Sequence, residues 1–261
     1  MTLTSNDQDD AFRDMSIVAG AADVLGVRVT ARAIDRFRRF AALLVAENAK
    51  FNLTAITDPE DIQRLHFADS LTVVPAVDAY VRLIGGDVAM LSTVRVLDIG
   101  SGAGFPGLPL AIVRPRIAVT LLEATGKKVG FMRRVADDLG LDNVTALKIR
   151  AEEAAHHPTL RDHIDIVLAR AVARLPVLLE YCLPFVRPGG FVLALKRGDI
   201  AQELAEGARA ATLLGGTLGT ITPVTVPGLE SHLLIRIDKT GDTPARFPRY
   251  PGVPSKAPLG I

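Results

Sequence analysis

A carboxylate and several glycines follow one apolar stretch of the sequence, in the segment VRVLDIGSGAGFPGLPL at residues 94–110. Glycine adopts positive φ angles and lets a ligand approach the main chain without a Cβ in the way. Three of these glycines match the G-x-G-x-x-G spacing of dinucleotide-binding loops. A tight turn between a strand and a helix is the structural alternative. The residues concerned are Asp98, Gly100, Gly102, Gly104 and Gly107.

Two carboxylates narrow the choice of ligand. Asp98 lies near the carboxyl end of the predicted strand, where it would repel a pyrophosphate and attract a cationic amino group. Glu123 closes the next predicted strand, in the position where such folds bind a ribose diol, although a solvated acid is the structural alternative. S-adenosylmethionine (AdoMet) carries an ammonium, a sulfonium and a ribose diol without a phosphate. The two acids therefore favour AdoMet over NAD as the cofactor.

The elements that position these residues follow from the apolar pattern after residue 94. Short runs of Val, Ile and Leu alternate with helical patterns, as in a parallel sheet with crossover helices. The last two runs are too close in sequence for a crossover, so they must form an antiparallel hairpin. The predicted strands are residues 94–100, 118–124, 144–150, 164–170, 190–196, 217–226 and 231–238. This α/β pattern resembles the Rossmann-like fold of class I AdoMet-dependent methyltransferases: a seven-stranded, mostly parallel sheet ending in an antiparallel hairpin, with N-terminal helices.

Helices are predicted before the sheet. Apolar residues recur at three- and four-residue spacing between Ile34 and Leu44, which is the helical period. Asp58 is suited to cap a second helix whose first position is Pro59. The chain is thus expected to comprise a mobile acidic N-terminus (1–14), a helical extension packed on the sheet domain (15–93), the methyltransferase domain (94–240) and a basic Pro-rich tail (241–261) whose prolines resist regular structure.

Composition excludes several classes of protein. The 261 residues are 49% hydrophobic, enough for a substantial core, yet no apolar run approaches the roughly 18 residues that span a bilayer. We therefore expect a cytoplasmic protein without a membrane segment. The single cysteine, Cys182, excludes an internal disulfide and any mechanism that needs two thiols, and we expect it to pack in the core. A net charge of +1 neither supports nor excludes a polyanionic partner.

Six stretches resemble the ribosomal RNA small subunit methyltransferase G family, also called glucose-inhibited division protein B. The resemblance covers roughly residues 35–240, and its most specific parts are the glycine loop and the L-E-x-x-x-K-K-x-x-F-M-R-R run. The stretches are FNLTAITDPEDIQRLHFADSL (51–71), VLDIGSGAGFPGLPLAIVRP (96–115), LLEATGKKVGFMRRV (121–135), RAEE (150–153), ARAVARL (169–175) and ALKRG (194–198).

The resemblance implies methyl transfer from AdoMet to N7 of a guanine in 16S rRNA, which yields 7-methylguanosine. It assigns cofactor contacts to Gly100, Phe105, Ala151, Glu152 and Arg170. The N7 lone pair can attack the methyl group directly and no proton leaves, so neither a general base nor a covalent cysteine is required, and no metal site is expected. Catalysis should come from alignment and electrostatics. No catalytic residue is assigned, but Arg170 and His66, with Asp69 nearby, are expected to position the substrate.

RNA binding is expected from cations near the carboxyl ends of the strands, where ligands enter such folds. A solvated helix surface is the alternative for the cations at 127–134. The expected RNA-binding residues are Lys127, Lys128, Arg133, Arg134, Lys196, Arg197, Arg249 and Lys256. The expected partner is 16S rRNA or the 30S subunit, and the expected state is a monomer.

Three other functions remain open at this point. The chain could methylate a small molecule or a protein, since helices before the sheet could equally gate such a site. It could be a non-catalytic ribosome-assembly protein that binds RNA. A nicotinamide-dependent dehydrogenase would share the glycine spacing but would lack the terminal hairpin.

Overall fold

The computed structural model describes residues 12–85 and 94–261. Seven strands form one sheet in the order β3-β2-β1-β4-β5-β7-β6. The strands are β1 Arg95–Ile99, β2 Ala118–Glu123, β3 Val144–Lys148, β4 Ile164–Arg170, β5 Val186–Arg197, β6 Gly216–Pro223 and β7 His232–Lys239. The first five are parallel, and β7 runs antiparallel between β5 and β6. The predicted strands, hairpin and fold class are confirmed.

β1 and β4 lie in the middle of the sheet, which explains why their residues are mostly apolar. In β4, every residue but the last is buried, because helices cover both faces of a parallel sheet. Asp98 pairs with Leu121 on one side and Leu168 on the other. The carboxyl end of β1, and the glycine loop after it, therefore lie at the centre of one sheet edge.

Ten helices and one short 3-10 helix, Leu183–Phe185, surround the sheet in the described residues. Among them, α3 changes from α-helical to π-helical geometry and back, and such π segments are frequent at functional sites. The helices are α1 Ser16–Val24, α2 Ala31–Asn48, α3 in three segments (Pro59–Asp61, Ile62–Ala68 and Asp69–Leu71), α4 Val74–Leu83, α5 Gly107–Val113, α6 Gly126–Leu139, α7 Ala151–Ala154, α8 Leu175–Cys182, α9 Ala201–Leu213 and α10 Val253–Lys256.

The helix-start predictions are confirmed where the structure tests them. The Asp58 side chain accepts hydrogen bonds from the backbone N–H groups of Glu60 and Asp61, and Pro59 is the first residue of α3. The apolar stripe of α2 is buried, including Phe37, Phe40 and Leu44. No helix in the described part of the chain is both long and apolar enough to cross a membrane.

The two larger of the three hydrophobic cores in the described residues lie on opposite faces of the sheet. The first joins α2 and α3 to α5, α6 and the sheet, so the N-terminal helices share one core with the strands. The second joins the other face to α7, α8 and α9, and includes Cys182 and the tail residue Phe247. Cys182 is fully buried, as expected, and burial raises its pKa above the ordinary value.

Most of the C-terminal tail is irregular, as its prolines predicted. The tail nevertheless packs along the second core, and Val253–Lys256 forms the short helix α10. Phe247 is buried, and the guanidinium of Arg161 holds the carbonyls of Thr243 and Phe247. Tertiary contacts replace the main-chain pairing that proline prevents. The acidic N-terminus falls almost entirely outside the described residues.

Candidate functional site

A cavity of about 520 Å³ opens at the carboxyl ends of β1, β4 and β5. The glycine loop forms one wall, α3 a second, and the end of β5 with the start of α9 a third. Its lining includes the predicted residues Gly100, Gly102, Phe105, Lys128, Arg170, Lys196, Arg197, His66 and Asp69. The sheet thus brings together residues that are far apart in the sequence.

The glycine loop needs its glycines for space as well as for backbone conformation. Gly104 has φ +97°, and a Cβ there would lie 2.2 Å from the side chain of Leu108. Gly100 has φ +65°, and a Cβ would lie 2.9 Å from Val172 on the neighbouring loop. The loop therefore packs close to α5 and to the loop that follows β4, while it exposes main chain to the cavity.

Asp98 occupies a different place from the one expected. It was predicted to meet a ligand directly, but it is fully buried beneath the loop, and its Oδ2 accepts the N–H of Gly107 at 2.9 Å. The start of α5 lacks an acceptor for that N–H, and the nearest carboxylate supplies it. Burial raises the pKa of Asp98 to about 7, against the effect of the Gly107 hydrogen bond and of Arg170. Its Oδ1 is buried and has no hydrogen-bond partner among the described residues.

Glu123 lies directly behind the glycine loop at the end of β2. Its two carboxylate oxygens accept the N–H groups of Gly102 at 3.2 Å and Thr125 at 2.8 Å. Each oxygen retains a lone pair beyond these bonds. The carboxylate is therefore fixed beside the loop with acceptor capacity to spare.

Two residues assigned by resemblance, Ala151 and Glu152, begin α7 and do not line the cavity. Glu152 is buried, and its Oε1 accepts the N–H of Gly252 from the tail at 3.2 Å. The tail therefore reaches the side of the site beyond the end of β3. No pattern in the sequence predicted this contact.

Arg170 is the centre of a hydrogen-bonded cluster at the cavity wall. Its Nη1 donates to the carbonyl of Leu65 at 2.7 Å and to Asp69 Oδ2 at 3.0 Å, and its Nη2 lies 3.1 Å from His66 Nδ1. Asp69 also lies 2.8 Å from Nδ1 of His232 on β7. We call Arg170, His66, Asp69 and His232 the cavity cluster. No pattern in the sequence predicted that His232 belongs to this site, because its only notable feature there is its position at the start of a predicted strand.

Aromatic stacking fixes the other face of His66. The ring of Phe105 stacks on His66 with centroids 4.5 Å apart and on Phe40 with centroids 4.9 Å apart. Arg170 also lies over the Phe105 ring at 5.3 Å. Burial, and then the charge of Arg170, lowers the pKa of His66 to about 3. His66 is therefore neutral near pH 7.

The predicted RNA-binding cations separate into two groups. Lys128, Lys196 and Arg197 line the cavity, and Lys127 lies over Phe51 beside it. Lys196 also pairs with Glu203. These cations lie at the side of the sheet that carries the glycine loop.

The remaining cations have partners in the fold or lie away from the cavity. Arg133 donates twice to the carbonyl of Ala146, and Arg134 pairs with Glu47 on α2. Arg249 corrects the prediction most clearly, because its guanidinium pairs with the fully buried Glu180 instead of facing solvent. Lys256 is exposed on α10. No group of three or more potential metal ligands occurs in residues 12–85 and 94–261.

Comparison with known sequences gives consistent matches over most of the chain. A family model described as rRNA small subunit methyltransferase G matches residues 33–232. A protein of that name from Roseiflexus sp. (strain RS-1) is 44% identical over 245 residues, covering 94% of this chain and 100% of the relative. Another of that name from Deinococcus deserti is 43% identical, covering 93% and 95% respectively.

Comparison with solved structures finds more distant similarity. A SAM dependent methyltransferase from Aquifex aeolicus is 17% identical with a TM-score of 0.48, covering 69% of this chain and 97% of that one. TrmN from Thermus thermophilus is 25% identical with a TM-score of 0.46, covering 65% and 49% respectively.

Proposed function

The chain belongs to the rRNA small subunit methyltransferase G family, and we propose that it transfers a methyl group from AdoMet to N7 of a guanine in 16S rRNA. The observation that carries the proposal is the cavity at the carboxyl ends of β1 and β4, in a chain that matches this family over residues 33–232. Ligands of open parallel sheets bind at this edge.

The residues around the glycine loop fit AdoMet. Asp98 Oδ1 is a buried acceptor without a described partner, and Glu123 keeps acceptor capacity beside the loop. Gly100 and Gly102 expose main chain to the cavity, where a nucleoside can approach closely. We propose that these four residues hold the cofactor, with Asp98 acting from beneath the loop. When bound, AdoMet supplies an electrophilic methyl group.

Residues of the cavity cluster, with Phe105 packed against them, would orient the guanine. The Arg170 guanidinium fixes His66, and Phe105 packs against the same ring. The neutral His66 does not serve as a charged acid, and guanine N7 does not need a base, because its lone pair is free and no proton leaves. The chain's contribution is therefore alignment of the two reacting groups and exclusion of water.

RNA would enter over the cations at the cavity mouth. Lys127, Lys128 and Arg197 are the residues we propose for phosphate contacts, so binding should weaken steeply as salt is raised. We further propose that residues 15–240 act as one unit, since the N-terminal helices share a core with the sheet. The enzyme is proposed to act as a monomer in the cytoplasm.

The test is methyl incorporation into ribosomes. Small subunits from cells lacking the protein are incubated with labelled AdoMet, and the labelled nucleotide of 16S rRNA is mapped by mass spectrometry. We expect one 7-methylguanosine per subunit, and no label in free nucleosides or in ribosomal proteins. Labelling of a protein or a small molecule alone would refute the proposal. RNA binding without any methyl transfer would instead favour a ribosome-assembly protein.

A further inference from the structure

Thr54 lies in the loop between α2 and α3 and lines the cavity beside the cavity cluster. Its Oγ1 is 2.8 Å from Nε2 of His66 and 3.1 Å from the backbone nitrogen of Ile56. The loop itself is fixed, because Asn48 Oδ1 accepts the N–H groups of Leu53 and Thr54. The hydroxyl therefore has a defined position at the cavity wall.

Arg170 determines which nitrogen of His66 carries the proton. A guanidinium has only N–H donors, so His66 Nδ1, at 3.1 Å from Arg170 Nη2, must accept. A neutral imidazole whose Nδ1 is an acceptor carries its hydrogen on Nε2. That hydrogen points at Thr54 Oγ1, and burial supports the neutral ring by lowering the pKa of His66 to about 3.

The two acceptor positions of the Thr54 hydroxyl are then both used. A hydroxyl offers two lone pairs and one hydrogen. His66 Nε2–H and the Ile56 N–H each donate to Oγ1, so the hydroxyl can act only as a donor. Because Thr54 lines the cavity, this hydrogen is available to a molecule bound there.

We propose that Thr54 donates this hydrogen bond to O6 of the target guanine and so selects guanine over adenine. The inference rests on the proposed function. On its major-groove edge, guanine presents two hydrogen-bond acceptors, N7 and O6. N7 must stay free to accept the methyl group. Adenine presents an amino donor in place of O6. A hydroxyl that can only donate would therefore face another donor if adenine entered the site.

The first test replaces the hydroxyl with a methyl group of similar size. In Thr54→Val we expect kcat/KM for methylation of small subunits to fall about tenfold, the scale of one hydrogen bond, with AdoMet affinity unchanged by calorimetry. Thr54→Ser keeps the hydroxyl and should stay within about threefold of the unchanged protein. Thr57→Val, at an exposed position of the same loop, is the matched control and should have no effect.

A second test includes one comparison, the unchanged protein on two substrates, that does not depend on how the Thr54→Val variant folds. The target guanine is replaced by 2-aminopurine, which keeps N7 and lacks O6, in subunits reconstituted from ligated rRNA. On this substrate, kcat/KM of the unchanged protein should be about tenfold lower than on guanine. For Thr54→Val, kcat/KM should be the same on 2-aminopurine as on guanine. The loss from the missing hydroxyl and the loss from the missing O6 should therefore not add.

The outcomes distinguish failure of the inference about Thr54 from failure of the proposed function. The role of Thr54 is overturned if Thr54→Val and the unchanged protein have equal rates on guanine. It is also overturned if the unchanged protein has equal rates on guanine and 2-aminopurine. Neither result contradicts rRNA methylation. Additive losses would assign the effect of Thr54→Val to displacement of His66 and overturn the proposed hydrogen bond. If the unchanged protein methylates no guanine of 16S rRNA, the proposed function itself fails.

Discussion

Two of the buried carboxylates that pair with arginines belong to regions with different tasks. In the cavity cluster, Asp69 lies 3.0 Å from Arg170, and the pair faces an open cavity. Under the tail, Glu180 lies 2.7 Å from Arg249, and the carboxylate is completely buried. We call the second region the tail clasp, formed by Glu180, Arg249 and the contact of Glu152 with Gly252.

The difference lies in what could replace each arginine. Water or substrate can reach the cavity cluster, so Asp69 would keep partners if Arg170 were lost, and His232 already provides one. Glu180 has no comparable access, and the guanidinium and backbone N–H of Arg249 both bond to it. The same pair of residue types is therefore expected to serve orientation in one region and stability in the other.

The largest effect is expected from Arg249→Ala. Removing the guanidinium leaves Glu180 as a buried charge without its main partner, which typically costs about 3 kcal/mol or more of unfolding free energy. Urea unfolding monitored by circular dichroism measures the loss, and Arg246→Ala at an exposed tail position is the control. Methylation by the protein that remains folded should be little changed. Unaltered stability would mean that the tail clasp does not hold the fold together.

Arg170→Ala should show the opposite pattern. Without the guanidinium, nothing fixes the His66 tautomer, and the reacting groups lose their alignment, so kcat/KM should fall about 100-fold. Unfolding free energy should change by less than about 1 kcal/mol, since the side chain borders the cavity. Steady-state kinetics and urea unfolding of one preparation measure both quantities. A loss of stability with retained activity would reverse the comparison.

A pH effect is expected from Asp98, beneath the glycine loop. Burial raises its pKa from the ordinary 3.8 to about 7, so the folded protein binds this proton more tightly than the unfolded chain. The resulting stability is complete below pH 3.8 and is lost as pH rises through 7. Between about pH 6 and pH 8, the titration of Asp98 should lower the free energy of unfolding by about 1.4 kcal/mol.

Comparison with Asp98→Asn isolates that contribution. The amide does not titrate, so the difference in unfolding free energy between the two proteins should shift in favour of the variant as pH rises. Saturating AdoMet should reduce the shift, because a nearby cation favours the carboxylate. A difference that stays constant across this pH range would show that Asp98 has an ordinary pKa.

The smallest change is expected from replacing the tail clasp with apolar side chains. In Glu180→Leu with Arg249→Met, both charges disappear together, and stability should stay within about 1 kcal/mol of the unchanged protein or rise. Thermal unfolding and the methylation assay measure the outcome. A large loss of activity in the stable double variant would give the tail a functional role and weaken the contrast with the cavity cluster.

Several features could be predicted because local patterns encode them. The run IDIVLAR predicted β4, because a short, nearly continuous apolar run between helical patterns is typical of a buried parallel strand. Asp58 and Pro59 predicted the start of α3 through hydrogen bonds that span only two or three residues. The short link after residue 226 required a hairpin, although the insertion of β7 between β5 and β6 was not foreseen.

Contacts between distant residues could not be predicted in the same way. Asp69 and His232 are 163 residues apart, and Arg170 and Asp69 are 101 apart. No local preference places such side chains together. The stacking of Phe105 on His66 and the pairing of Arg249 with Glu180 depend likewise on how helices pack across the sheet.

The sequence by itself determined the sheet, the glycine loop after β1 and the family, since each depends on short spacings and on residue types. Only the tertiary structure decided that Asp98 lies beneath the loop, that Arg249 is part of the fold, and that Thr54 lies against His66 at the cavity wall. The physical reason is that a charge or hydroxyl has no fixed role until its partners are known, and here those partners come from other elements.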